Sequence, residues 1–166
     1  MIGHNVQLKF FRQEGREEGT CGPRSLQIAL SAFGYYPPFQ DIYHLCGTAE
    51  DGTFLFELPK AARALGCRVV VRTRKASSAA IKKYVDRGNP VLVNWFADDT
   101  EGSTSDHCAV AYRVSDTYIY LLDPAAFLYV EPTLLIKRTS LDKCWLENPG
   151  SRWMMAITAV AKKEQL

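Results

Sequence analysis

The run LPKAARALGCRVVVRT, residues 58–73, changes its period part-way along. Leu58, Ala61, Ala62 and Leu65 recur at i, i+3, i+4 and i+7, one apolar face of a helix, and Gly66 is the residue best able to close it. Pro59 suits that helix's first turn. Cys67 to Thr73 follows at once and is rich in valine, whose branched side chains fit a pleated strand. Helical signals dominate back to Cys21 and strand signals dominate forward. Helices first and a mostly antiparallel sheet afterwards predict an α+β fold, an N-terminal helical half packed on a C-terminal sheet.

On the N-terminal side, Leu26, Ala29, Leu30 and Phe33 form a second i, i+3, i+4, i+7 face that ends at Gly34. Pro37 and Pro38 then open a short helix through Ile42 and Leu45. On the C-terminal side, strands are predicted at Val91–Phe96, His107–Val114, Thr117–Asp123 and Trp153–Val160. Between them, Ser77 or Ser78 caps a helix whose inner face is Ile81, Tyr84 and Val85 and which Gly88 ends, leaving Lys82, Lys83 and Arg87 outside. A further short helix is predicted over Ser140–Leu146. No repeat or linker breaks the chain, so residues 1–166 read as one domain, with a helical subdomain at about 12–66 and a sheet subdomain at about 67–162.

The 166 residues are 47% hydrophobic and 23% charged, ordinary globular values that exclude disorder and fibre. No apolar stretch approaches the ~18 residues of a membrane span, and the N-terminus lacks a secretory h-region, so a cytoplasmic location is expected. Five cysteines, an odd number without a CxxC pair, argue against a disulfide framework. A net charge of +2 is too mild to indicate nucleic acid. The nine Lys and Arg between Leu58 and Pro90, against one acid, Asp86, spread over a helix, a strand and another helix and read as a solvated face. Four acids and no base lie between Asp98 and Asp106.

Cys21 begins the first helix, ahead of Gly22 and Pro23, where the positive end of the helix dipole favours a thiolate. The alternative is a small buried hydrophobe. A nucleophilic cysteine needs a base, and the chain offers His4, His44 and His107. His4 is terminal. His44 and Cys46 form a His-x-Cys pair with no second pair to complete a metal site, so His44 reads as a satisfied structural histidine and no metal is expected. His107 opens a strand, and a hairpin reversing about Ser115 sets it opposite Asp123, within cross-strand reach. One imidazole nitrogen could then bond Asp123 while the other faces Cys21, the nucleophile, base and orienter logic of a triad. Asp123-Pro124 could equally be a turn-initiating pair. Cys108 should face away from His107 into the core, and Cys46, Cys67, Cys108 and Cys144 should be largely buried and slower to react than Cys21.

The run Cys21-Gly22-Pro23-Arg24-Ser25-Leu26 with Ala29-Leu30, Gly52-Thr53, Leu58 to Gly66, Pro90 to Trp95, His107 and Asp123-Pro124 resembles the bacteriocin-processing, double-glycine-leader peptidase family of papain-like cysteine peptidases, over roughly residues 10 to 160. The resemblance implies a papain-like fold and peptide-bond hydrolysis through a thioester, with no cofactor. It implies Cys21 as nucleophile, His107 as general base and acid, Asp123 as orienter and Gln13 as oxyanion donor. The family's glutamine stands nearer its cysteine than Gln13 does to Cys21, and Gly15 occupies the expected place. Members are commonly domains of membrane ABC transporters, whereas this sequence reads as a stand-alone domain with a peptide or protein substrate. A deamidase, isopeptidase or transpeptidase could use the same triad, and a peptide-binding module without turnover is the alternative of another class. The acidic stretch ahead of His107 is expected to border the cleft and to favour Lys or Arg near the cleaved bond.

Overall fold

At Gly66 the backbone takes the left-handed conformation, φ +83°, and a helix gives way to a strand. The computed structural model describes residues 6–13, 19–98, 104–125 and 133–161. Before Gly66 lie α1 (Cys21–Ser31), α2 (Phe39–Leu45) and α3 (Glu57–Ala64). After it come β1 (Cys67–Thr73), α4 (Ser78–Val85), β2 (Val91–Asp98), β3 (Thr104–Val114), β4 (Tyr118–Leu122), β5 (Thr133–Lys137), α5 (Arg138–Glu147) and β6 (Trp153–Val160). The six strands form one sheet in the order β1-β6-β2-β3-β4-β5, with every pairing antiparallel.

Helices cover the sheet on both faces. Leu26, Ile28 and Leu30 of α1, Ile42 of α2 and Leu58 of α3 pack on Leu92, Val110, Leu122, Met155 and Ile157. On the other face, Ile81 and Val85 of α4 with Leu141 and Trp145 of α5 pack on Val91, Val93, Ala111, Leu121 and Met154. Neighbouring strand residues therefore alternate between two cores, which makes the central strands apolar on both faces. Ser77 caps α4, its hydroxyl accepting from Ala80 N at 3.1 Å.

Several expectations are revised. Strand β5 carries no signal in the sequence reading, because TLLIK runs straight into α5 with no turn residue between them. Helix α5 begins at Arg138, earlier than Ser140, and β3 begins at Thr104, so His107 lies inside a strand and not at its start. The β3–β4 hairpin does not reverse about Ser115. Val114 pairs with Ile119 around Asp116 and Thr117, and a bulge between Ala111 and Arg113 shifts the register to Val110 opposite Leu122. That register carries Asp123 to a place across from Ala109, diagonal to His107.

Candidate active site

Helix α1 has no acidic residue in its first turn, and Thr20 makes no side-chain cap to its amides, so the positive end of the helix is left to the Cys21 thiol. Ser25, buried one turn further on, donates its hydroxyl to Cys108 O at 2.9 Å. That bond pins α1 to β3 one residue past His107. Burial alone would push the Cys21 thiol up. The hydrogen bond and charge of His107, with help from the backbone N–H of Cys108 and Gly22, outweigh burial and hold the thiol below its ordinary value.

His107 Nε2–H donates to Asp123 Oδ1 at 2.6 Å. The diagonal register permits this because residues 107 and 109 share a face of β3, and an imidazole spans the extra step. Asp123 is 1% exposed, and the same Oδ1 accepts Ala125 N–H at 2.8 Å, which fixes the carboxylate just past the end of β4. The His107 side chain, 13% exposed, also packs edge-on against Trp95, its cross-strand partner, with ring centroids 6.1 Å apart. Burial alone would hold the imidazole down, but hydrogen bonds with Asp123 and Cys21 and the charges of both push it up to about 10. A lowered thiol beside a raised imidazole favours the thiolate–imidazolium pair over the neutral pair.

Cys21 and His107 line a cleft of about 640 Å³. Gln13 lines it too, buried, and its backbone N–H donates to Pro124 O at 2.8 Å, tying the N-terminal segment to the residue after Asp123. The loop through Asp51, Gly52 and Thr53 forms another wall. There Gly19, at φ +78°, lies so close to Gly52 that a Cβ on Gly19 would meet Gly52 Cα at 2.5 Å. Thr53 Oγ1 bonds Thr48 Oγ1 at 2.7 Å, and Ala49 and Gly52 exchange backbone bonds of 3.0 and 3.1 Å, so this wall is held by its own hydrogen bonds.

The sequence profile of the Peptidase C39 family matches residues 8–148. The chain belongs to this family. It is a cysteine peptidase of C39 type, and solved structures share its fold. A double-glycine-motif protease from an AMS/PCAT transporter, in complex with the leader peptide, is 18% identical with a TM-score of 0.66, covering 95% of this chain and 96% of that one. A C39-like peptidase from Bacillus anthracis is 16% identical with a TM-score of 0.69, covering 95% and 97%. The peptidase domain of Streptococcus ComA, a bifunctional ABC transporter of a quorum-sensing pathway, is 18% identical with a TM-score of 0.66, covering 95% and 99%. Comparison with curated proteins found no match. Among the described residues of this C39 peptidase, no helix is long and apolar enough to cross a membrane.

The structure thus brings Cys21, His107, Asp123 and Gln13 to one end of the sheet. Cys46, Cys67 and Cys108 are buried, whereas Cys144 is only half-buried, because α5 lies on the surface and presents just Leu141 and Trp145 inward. Burial pushes Cys46 up to about 12, with the charge of Glu57 adding to it, and burial pushes Cys67 up to about 11. Cys108 is raised well above the ordinary range, chiefly by burial. His44, read as a structural histidine, is exposed at the end of α2 and lies edge-on against Tyr43, while Cys46 is buried in the core. His4, Gly15 with residues 16–18 of the loop ahead of Cys21, and acidic-stretch residues 99–103 lie outside the described residues. Asn94 and Asp106 also line the cleft. The signal for Asn94 was a lone polar side chain in the apolar run Val91–Trp95.

Proposed function

We propose that this C39 peptidase hydrolyses a peptide bond in a peptide or protein substrate through a Cys21–His107–Asp123 triad, with Gln13 as an oxyanion donor. The observation that carries the reading is the 2.6 Å His107–Asp123 bond beside a cysteine at a helix N-terminus. The Cys21 thiolate attacks the scissile carbonyl carbon, and the negative charge that develops on the former carbonyl oxygen is met by the Cys21 backbone N–H and the Gln13 side-chain amide. The His107 imidazolium gives its proton to the leaving amine as the carbon–nitrogen bond breaks, leaving a thioester. Water then attacks the thioester while neutral His107 takes its proton, and the thiolate and a carboxylic acid product separate. Asp123, buried and fixed by Ala125 N–H, holds the imidazole orientation and offsets its charge throughout. The leader peptide bound by the double-glycine-motif protease supports a peptide as the substrate class.

Alkylation with iodoacetamide at about pH 6, mapped by mass spectrometry, tests this reading, because only a thiolate reacts quickly there. Cys21 is expected to be modified first, with peptidase activity lost in step, and His107→Ala to slow the alkylation and abolish turnover. Uniform labelling of the cysteines, or labelling led by the half-buried Cys144, would overturn the assignment.

A further inference from the structure

The charged lining of the cleft is one-sided. Among the described residues it consists, besides His107, of Asp51 and Asp106, with no lysine or arginine. Asp106 is exposed, immediately precedes His107 on β3, and is held from below. Asn94, 1% exposed, donates its side-chain amide to Asp106 Oδ1 at 3.1 Å and to Ser151 O at 3.2 Å. Its backbone carbonyl accepts the indole N–H of the fully buried Trp145 at 2.8 Å. A buried amide is costly unless its donors are satisfied, and here one donor is committed to orienting a carboxylate at the lip of the cleft. No cation among the described residues pairs with that carboxylate.

The side of the cleft follows from the chemistry. His107 delivers its proton to the leaving amine, so residues C-terminal to the scissile bond lie on the His107 side. Asp106 and His107 are consecutive on β3 and both line the cleft, whereas Asp51 belongs to the loop held against Gly19, ahead of Cys21. We propose that Asp106 is a specificity-determining residue that pairs with a Lys or Arg side chain of the substrate just C-terminal to the cleaved bond. The proposal rests on the peptidase reading and adds a substrate preference to it. A carboxylate set on a strand and braced by a buried amide needs little reordering to receive a guanidinium or ammonium group.

Digestion of a randomised decapeptide library, with the cut peptides sequenced by mass spectrometry, tests this. Wild type should enrich Lys and Arg over Gln by about fivefold in the first residues after the cut, with the enrichment shrinking at high salt, as for an exposed ion pair. Asp106→Asn should flatten the Lys-to-Gln ratio, and Asp106→Lys should turn it toward Asp and Glu. Both ratios are internal to each variant and do not depend on its overall rate. Cleavage without enrichment, or with an enrichment that Asp106→Lys leaves unaltered, overturns the proposal while the peptidase reading stands. No cleavage of any peptide by protein whose Cys21 is still rapidly alkylated overturns that reading and the proposal with it.

Discussion

At Cys21 and His107, pH acts on two protons in opposite directions. The thiol is held below its ordinary value and the imidazole is pushed up to about 10, so the ion pair is favoured in the window between the two titrations. The rate should therefore rise on the acid side as Cys21 loses its proton and fall near 10 as His107 loses its own. In Asp123→Asn the alkaline limb should move to lower pH, since Asp123 supplies the largest upward influence on His107, and kcat should drop; an unmoved limb in the pH–rate profile would mean that Asp123 does not support the imidazolium. Gln13→Ala should leave the alkylation rate of Cys21 nearly unchanged, because the thiolate pair is intact, yet lower kcat by ~10²- to 10³-fold, the typical effect of removing an oxyanion donor. Turnover within about threefold of wild type would assign the donor elsewhere.

Among the elements, the segment entering α1 and the Asp51–Thr53 loop meet at Gly19 and Gly52, and both line the cleft. Gly19 and Gly34 both have left-handed backbones, at φ +78° and +66°, but their surroundings differ. A Cβ on Gly34 meets nothing within 4 Å, whereas one on Gly19 runs into Gly52 backbone atoms at 2.5 and 2.8 Å. Gly34→Ala should cost only the conformational penalty, about 1 kcal/mol. Gly19→Ala should cost more, about 2 to 3 kcal/mol, and should lower kcat/KM as the wall shifts. Urea unfolding and steady-state kinetics on the two variants check this, and equal losses from both would show that the close approach to Gly52 is easily relaxed.

For the whole molecule, a single sheet shared by two cores should make unfolding cooperative. Trp145 is fully buried on one face, and Cys108 belongs to the cluster on the other. Trp145→Ala should cost ~3 to 5 kcal/mol through cavity formation and loss of the bond to Asn94 O. If the faces unfold together, Cys108 in that variant should become open to alkylation across the same urea transition that circular dichroism reports. Cys108 remaining protected beyond the transition would divide the molecule into two independently stable layers.

Local chemistry determined much of this protein from sequence alone. The change of period at Gly66, the α1 face with Cys21 at its head, and strands β1 and β6, whose ends match the sequence reading, depend on neighbours a few residues apart, and neighbours are what a sequence displays. The pairing of Cys21, His107 and Asp123 was legible as a set because one helix start and one hairpin carry all three. How Asp123 reaches His107 was not legible. A bulge between Ala111 and Arg113 moves the register, and nothing in Ala111-Tyr112-Arg113 announces it. Strand β5 was hidden because it passes into α5 without a turn residue, and the second core was hidden because a sequence does not say which side of a sheet a helix covers. The Asn94–Asp106–Ser151 bonds join β2, β3 and the residues just before β6, and the position of Gln13 depends on a backbone bond to Pro124. Contacts between distant segments of the chain are decided by packing, and only the tertiary structure records them.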